Sequence, residues 1–271
     1  MSHLSTRIEL TVPEGDASTF ASLLRSRTGA DVVDLGGGAL QCDLPHFDAA
    51  LADAVGGWLA GMSVGGATVR TGIPGEPLRK GWPPVTVELA GWLGVNVPPS
   101  GADGVGLTYD PGICFGSAHH PTTTACAQSL ASVVRRGVSG ARVLEIGCGA
   151  GLFSVALAKL GATVSAVDTW EDAVATTRRN AQANGVADRV DARQVDARWL
   201  EHPEVDIVVA NLAPSAALGP VLAPLARRCV VLAGLQESQM EQVRGGYAPL
   251  TEAARNEESH WLSVLLVRVG P

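Results

Sequence analysis

The chain has 271 residues, 46% of them hydrophobic and 17% charged, with a formal net charge of −7. That length and apolar share exclude a disordered chain and leave room for a sizeable core in two domains. The acidic balance disfavours non-specific nucleic-acid binding and suits a basic partner. No run of about 18 uncharged apolar residues occurs, so no membrane span is expected.

The five cysteines, Cys42, Cys114, Cys126, Cys148 and Cys229, are dispersed without CxxC spacing. That pattern fits reduced thiols in a cytoplasm and no bound metal. The first residues lack the apolar region of a signal peptide, which points the same way.

Residues 1–72 read as a unit. Arg7 to Pro13 alternates like a half-buried strand, and Asp16 can cap a helix through Phe20 and Leu24. Asp31–Leu35, Gly36–Gly38 and Ala39–Asp43 read as a hairpin. A second amphipathic helix is expected from Asp48 to Leu59, and a strand from Ala67 to Arg70. The order βαββαβ is that of a small α+β ferredoxin-like sandwich, whose usual work is to hold a partner or only to pack.

Residues 73–106 are rich in proline and glycine and read as a linker, with one short ordered segment from Val85 to Trp92 pinned by Trp82 and Trp92. Residues 107–271 then carry alternating strand and helix patterns, as a doubly wound α/β sheet requires; near its end a helix is expected over Ala216–Ala226 and the last two strands over Tyr247–Glu252 and Trp261–Arg268, the final one antiparallel.

The most informative stretch runs from Arg142 to Leu152. Val143, Leu144 and Ile146 form a buried strand; Gly147, Gly149 and Gly151 form a turn; a helix starts at Leu152. Glycines let the backbone approach a ligand, and the helix start presents free N–H groups. A second strand, Thr163–Asp168, ends in an acid about 20 residues on, where a ribose hydroxyl pair is held in dinucleotide folds. Together they point to an adenosine-containing cofactor. The nicotinamide fingerprint is not met, because Leu152 stands where its third glycine belongs.

The Glu145-x-Gly147-x-Gly149-x-Gly151 form resembles the S-adenosylmethionine site of class I methyltransferases. Upstream, Pro111, Gly112, Phe115, Gly116, His120, Thr122 and Thr123 match a signature that resembles the ribosomal protein L11 methyltransferase (PrmA) family. Ser117 and Ala118 replace its threonine and second glycine. The resemblance implies a seven-stranded, Rossmann-like class I sheet behind the smaller domain, and S-adenosyl-L-methionine as cofactor. It implies cofactor contacts from Phe115, Thr123, Glu145, Gly147, Gly149, Gly151, Asp168, Asp196 and Asn211. For Asp196 a surface aspartate and an adenine-amino ligand both stay open. The family carries Asn-Ile or Asn-Leu where this chain has Asn211-Leu212.

Asn211 follows a fully buried strand, Val205–Ala210, and its amide is costly to bury without a partner. By the resemblance, the catalytic residues are Asn211, Leu212, His120 and Thr123: Asn211 and the Leu212 carbonyl hold the methyl acceptor, His120 shapes the pocket or takes a proton, and Thr123 contacts the cofactor's amino-acid end or serves as a positioning hydroxyl. The activity implied is N-methylation of amino groups of a protein substrate. A ribosomally made peptide, a small-molecule amine and a non-catalytic scaffold are the alternatives. His119 reads as a solvated loop residue, and Cys148 has no catalytic role.

Overall fold

The computed structural model describes residues 6–12, 17–18, 20–21, 24, 32–44, 68–72, 79–80, 87–101, 104–111, 114, 118, 120–259 and 261–268. The chain divides into two compact units. One is Met1–Val85 with Asp110–His120; the other is Thr86–Tyr109 with Pro121–Pro271.

In the first unit, β1 (Thr6–Thr11), β2 (Val32–Gly36), β3 (Ala39–Leu44), β4 (Thr68–Gly72) and β5 (Arg79–Lys80) form one sheet in the order β2-β3-β1-β4-β5. All of its pairings are antiparallel. Without the two-residue β5, this is the ferredoxin-like order. Alternation drives it: Ile8, Leu10 and Val12 are buried and Thr11 is exposed. The helical residues Ala17, Phe20, Ala21 and Leu24 are buried together, as helical spacing requires. The helix expected over 48–59 and the anchor Trp82 lie outside the described residues.

The second unit begins with β6 (Val87–Leu89), β7 (Leu93–Val95) and β8 (Val105–Leu107), a three-stranded sheet within the stretch that composition marks as a linker. Its glycines serve close packing: a Cβ on Gly94 would stand 2.0 Å from the Val97 carbonyl oxygen, and one on Gly101 2.6 Å from that of Gly91. Trp92 is buried and donates its indole N–H to the Ala127 carbonyl at 2.9 Å, so it does pin this segment. Asn96 and Asn184 act as side-chain stand-ins for a strand. Asn96 exchanges two hydrogen bonds with the backbone of Tyr109, and Asn184 two with Thr108.

The main sheet has seven strands: β9 (Arg142–Ile146), β10 (Thr163–Asp168), β11 (Val190–Gln194), β12 (Val205–Asn211), β13 (Ala226–Leu235), β14 (Leu250–Glu258) and β15 (Trp261–Arg268). Their order is β11-β10-β9-β12-β13-β15-β14. The first five in that order are parallel, and β15 runs antiparallel to both β13 and β14. The helices are α1 (Pro121–Arg135), α2 (Leu152–Lys159), α3 (Glu171–Ala183), α4 (Gly219–Leu225) and α5 (Met240–Gly246). The doubly wound expectation therefore holds, including the antiparallel last strand.

Two local expectations fail. The helix expected from Ala216 is a 3-10 turn over Ala213–Leu218 followed by α4. The strand expected from Tyr247 starts only at Leu250. Tyr247 instead donates its N–H to the Val243 carbonyl at 3.0 Å, closing α5, and Pro249 has no N–H to give a sheet. Among the described residues, no helix is long and apolar enough to cross a membrane.

The strand order reverses at β9, which lies between β10 and β12. In open α/β sheets the ligand crevice forms at the carboxyl ends of the strands at such a switch point. Here those ends are Ile146, Asp168 and Asn211.

Candidate functional site

The glycine turn is fixed from three sides. Gly147 and Cys148 both donate N–H to the Val167 carbonyl, at 2.8 and 3.1 Å, which ties the turn to the end of β10. Gly149 N–H donates to Asp168 Oδ2 at 2.9 Å. From α3, Thr177 Oγ1 donates to the Gly149 carbonyl at 3.0 Å and Asn180 Nδ2 to that of Ala150 at 2.8 Å. Gly147, Gly149 and Gly151 take φ of 69, 54 and 80°, which L side chains rarely adopt.

Asp168 accepts from Gly149 through Oδ2 and from Trp170 N–H through Oδ1 at 3.0 Å. Burial raises its pKa above the usual range, opposed by those backbone donors and that of Thr169. A carboxylate has four lone pairs, so these three donors leave it one for a hydroxyl donor.

Glu145 sits in mid-sheet, opposite Ala166 of β10 and Val209 of β12, and is 2% exposed. The Ser154 hydroxyl in the first turns of α2 donates to it. Burial pushes its pKa to about 8; Ser154 works against that, and the charge of Asp168 works with it. Glu145 is therefore largely protonated at neutral pH.

Asn211 ends β12 with its Oδ1 buried and, among the described residues, without a hydrogen-bond partner; Thr123 Oγ1 on α1 is in the same condition. α1 packs against β12 as well as β13, β14 and β15. Leu212 is extended (φ −155°, ψ 152°), and its side chain lies 3.5–3.6 Å from where a Cβ on Gly147 would stand. Leu212 thus joins the ends of β9 and β12 across the switch point.

Asp196 caps the short turn after β11. Its carboxylate takes the Arg198 backbone N–H at 2.9 Å and the Arg198 guanidinium through both oxygens. Those bonds hold its pKa down to about 2. So Gly147, Gly149, Gly151, Glu145, Asp168, Asn211 and Leu212 are brought together at the carboxyl ends of β9, β10 and β12, and Asp196 follows the end of β11. His120 is buried and belongs to the other unit. Phe115 and His119 lie outside the described residues. Ala118, where the signature has glycine, keeps a φ of 69°. That conformation costs a residue with a Cβ roughly 1–2 kcal/mol. The supporting roles of Thr177 and Ser154 have no signal in the sequence, because a hydroxyl facing a backbone or side-chain oxygen leaves no fixed spacing.

This strand order, with a glycine turn at the switch point and an acid closing the next strand, defines the class I methyltransferase fold. Residues 79–268 match the family model described as Ribosomal protein L11 methyltransferase (PrmA). The chain belongs to that family. The ribosomal protein L11 methyltransferase of Bordetella bronchiseptica is 38% identical over 172 residues, covering 61% of this chain and 54% of the relative. That of Escherichia coli is 35% identical over 158 residues, covering 56% and 52%. The chain spans about half the length of the curated relatives it matches. A solved ribosomal protein L11 methylase from Lactobacillus delbrueckii subsp. bulgaricus superposes with a TM-score of 0.57 at 22% identity, covering 66% of this chain and 95% of that one. That likeness speaks for the fold.

Proposed function

We propose that the protein is an S-adenosylmethionine-dependent N-methyltransferase that modifies amino groups of a protein, with ribosomal protein L11 the first substrate to test. The observation that carries this reading is Asn211 Oδ1, a buried acceptor without a partner at the switch point beside the glycine turn. An orphaned buried carbonyl costs about 1–3 kcal/mol, so a donor from a ligand is its natural complement.

The residues present fit the cofactor. Gly147, Gly149 and Gly151 keep the crevice free of side chains, the remaining acceptor capacity of Asp168 suits a ribose hydroxyl, and the Thr123 hydroxyl is free for the amino-acid end. The family resemblance assigns Phe115 to cofactor binding and His120 to catalysis. Asp196 is assigned to the adenine end by the same resemblance, with Arg198 bound across it.

The bound cofactor supplies an electrophilic methyl group on a sulfonium. The protein supplies alignment. Asn211 Oδ1 accepts an N–H of the incoming amine and turns its lone pair toward the crevice. The Leu212 carbonyl already accepts the Ser215 N–H at 3.1 Å and keeps a second lone pair for the amine. A lysine must arrive neutral, which costs about 4–5 kcal/mol at pH 7; desolvation in the crevice lowers that cost. Orientation of this kind accounts for much of the rate of a displacement reaction. The net charge of −7 favours a basic protein substrate. The cytoplasm, where ribosomes are assembled, is the compartment this reading assigns.

The test is incubation with isolated L11 and methyl-labelled S-adenosylmethionine, followed by mass spectrometry. Label on lysine or N-terminal amines supports the reading. Label confined to small amines moves the activity to another substrate class, and binding of a nicotinamide nucleotide in place of S-adenosylmethionine overturns it.

A further inference from the structure

Beyond Asn211 and Leu212 the chain makes a further buried polar relay. Tyr247 has 0% exposure, and its hydroxyl donates to the Ser215 carbonyl at 2.6 Å. Ser215, itself at 0%, donates its N–H to the Leu212 carbonyl at 3.1 Å and its Oγ to the Ala233 carbonyl at 3.2 Å. Ala233 is the β13 residue in register with Asn211. One serine therefore joins the residue after Asn211, the strand beside Asn211 and the tyrosine closing α5.

The backbone is shaped to allow this. Gly219 at the start of α4 meets Gly246 at the end of α5 so closely that a Cβ on Gly219 would stand 2.4 Å from the Gly246 carbonyl carbon and oxygen. That approach sets the residue after Gly246, Tyr247, against the 3-10 turn of Ala213–Leu218. A buried phenol needs a partner, and this one takes a backbone carbonyl that a short turn would otherwise leave to water.

We propose that Tyr247 is a positioning residue for the Asn211–Leu212 acceptor pair, acting through Ser215. The inference rests on the reading of that pair as the holder of the substrate amine. The Ser215 N–H occupies one lone pair of the Leu212 carbonyl and fixes where the other points. Tyr247 holds Ser215 from the far side, so the direction of the carbonyl is set by a group that touches neither cofactor nor substrate. Displacements of about 1 Å in such a group are enough to cost a large factor in a reaction that depends on orientation.

A binding measurement isolates this role. Sinefungin carries an amine where the cofactor has its methylated sulfonium, and S-adenosylhomocysteine carries none. The ratio of their affinities for the full chain, by titration calorimetry, reports how well the acceptor pair holds an amine. Tyr247→Phe is expected to narrow the preference for sinefungin by about fivefold and to leave S-adenosylhomocysteine binding within about twofold. Ser215→Ala, which removes only the Oγ bond to Ala233, is expected to narrow it in the same direction and serves if Tyr247→Phe does not fold. Ser263→Ala is the control: its Oγ also donates to a buried carbonyl, that of Leu232 at 2.8 Å, but it lies on the far side of β13 from Asn211 and bonds to neither Ser215 nor Leu212. An unchanged ratio in Tyr247→Phe, or in Ser215→Ala where it stands in, or an equal loss in Ser263→Ala, overturns the inference. Asn211→Ala separates the two levels. If it leaves the ratio unchanged, the acceptor pair itself is misassigned and the inference falls with it. If it abolishes the preference while Tyr247→Phe does not alter it, only the role of Tyr247 is lost.

Discussion

Gly151 faces Thr177 so closely that a methyl group on Gly151 would lie 2.7 Å from both Thr177 Cγ2 and Oγ1, and 3.0 Å from its Cα. Thr177 cannot yield, since its hydroxyl holds the Gly149 carbonyl. Gly151→Ala combines this clash with a φ of 80° and is expected to cost about 2–4 kcal/mol in urea unfolding, with loss of cofactor binding. Gly185 has a φ of 69° but nothing within 4 Å of an added Cβ, so Gly185→Ala is expected to cost only about 1 kcal/mol.

Glu145 makes stability depend on pH. Its folded pKa is about 8 against an ordinary value of 4.5. Below pH 4.5 both folded and unfolded chains hold the proton and its burial carries no charge penalty. Between pH 4.5 and 8 the unfolded chain releases the proton and the folded one keeps it, so stability falls through that window and levels off above it. Glu145→Gln should match the parent in thermal denaturation near the lower limit, and melt at a higher temperature than the parent near the upper one.

Thr123 Oγ1 is buried without a partner in the unliganded chain. Thr123→Val keeps the shape and removes the orphaned hydroxyl. The unliganded protein should be as stable as the parent or more so, by up to about 1 kcal/mol. Calorimetric affinity for S-adenosylmethionine should fall by at least about fivefold. Weaker folding together with unchanged affinity would make Thr123 a packing residue only.

Asn184 holds Thr108 by two hydrogen bonds, of 3.0 and 2.6 Å, and also donates to the Asn180 carbonyl at 2.8 Å. Asn184→Ala is expected to cost about 1–3 kcal/mol and to speed amide exchange at Thr108. Asn184→Asp keeps the acceptor for Thr108 N–H but sets a carboxylate oxygen against the two carbonyls it had donated to, so it should cost at least as much as Asn184→Ala.

Much of this was legible in the residues. β9, β10, β12 and β13 announce themselves as apolar runs, and the glycine turn with Asp168 marks the switch point in the sequence itself. Asn211 was readable because an amide at the end of a buried strand needs a reason. The turn over Ala213–Leu218 and the late start of β14 were not, since helical spacing at Ala216–Ala226 and an aromatic at Tyr247 also suit the structures expected there. The segment from Val87 to Leu107 was hidden by its own composition: Gly94 and Gly101 look like linker residues but are there because backbones nearly touch. Ser154, Thr177, Ser215 and Tyr247 carry no local signature, because each bonds to a group distant in sequence.

The placement of β15 has a consequence for how the chain is made. Trp261–Arg268 lies between β13 and β14, and the apolar middle of β13 is covered on that side by the last strand of the sheet to be synthesised. Until it arrives, Ala226–Leu235 offers a long unpaired edge of the kind that recruits strands from other molecules. A nascent chain at this point is a better partner for its neighbours than for itself. A stop codon near Trp261 would thus make an aggregating product, with the residues of the glycine turn and Asn211 all present.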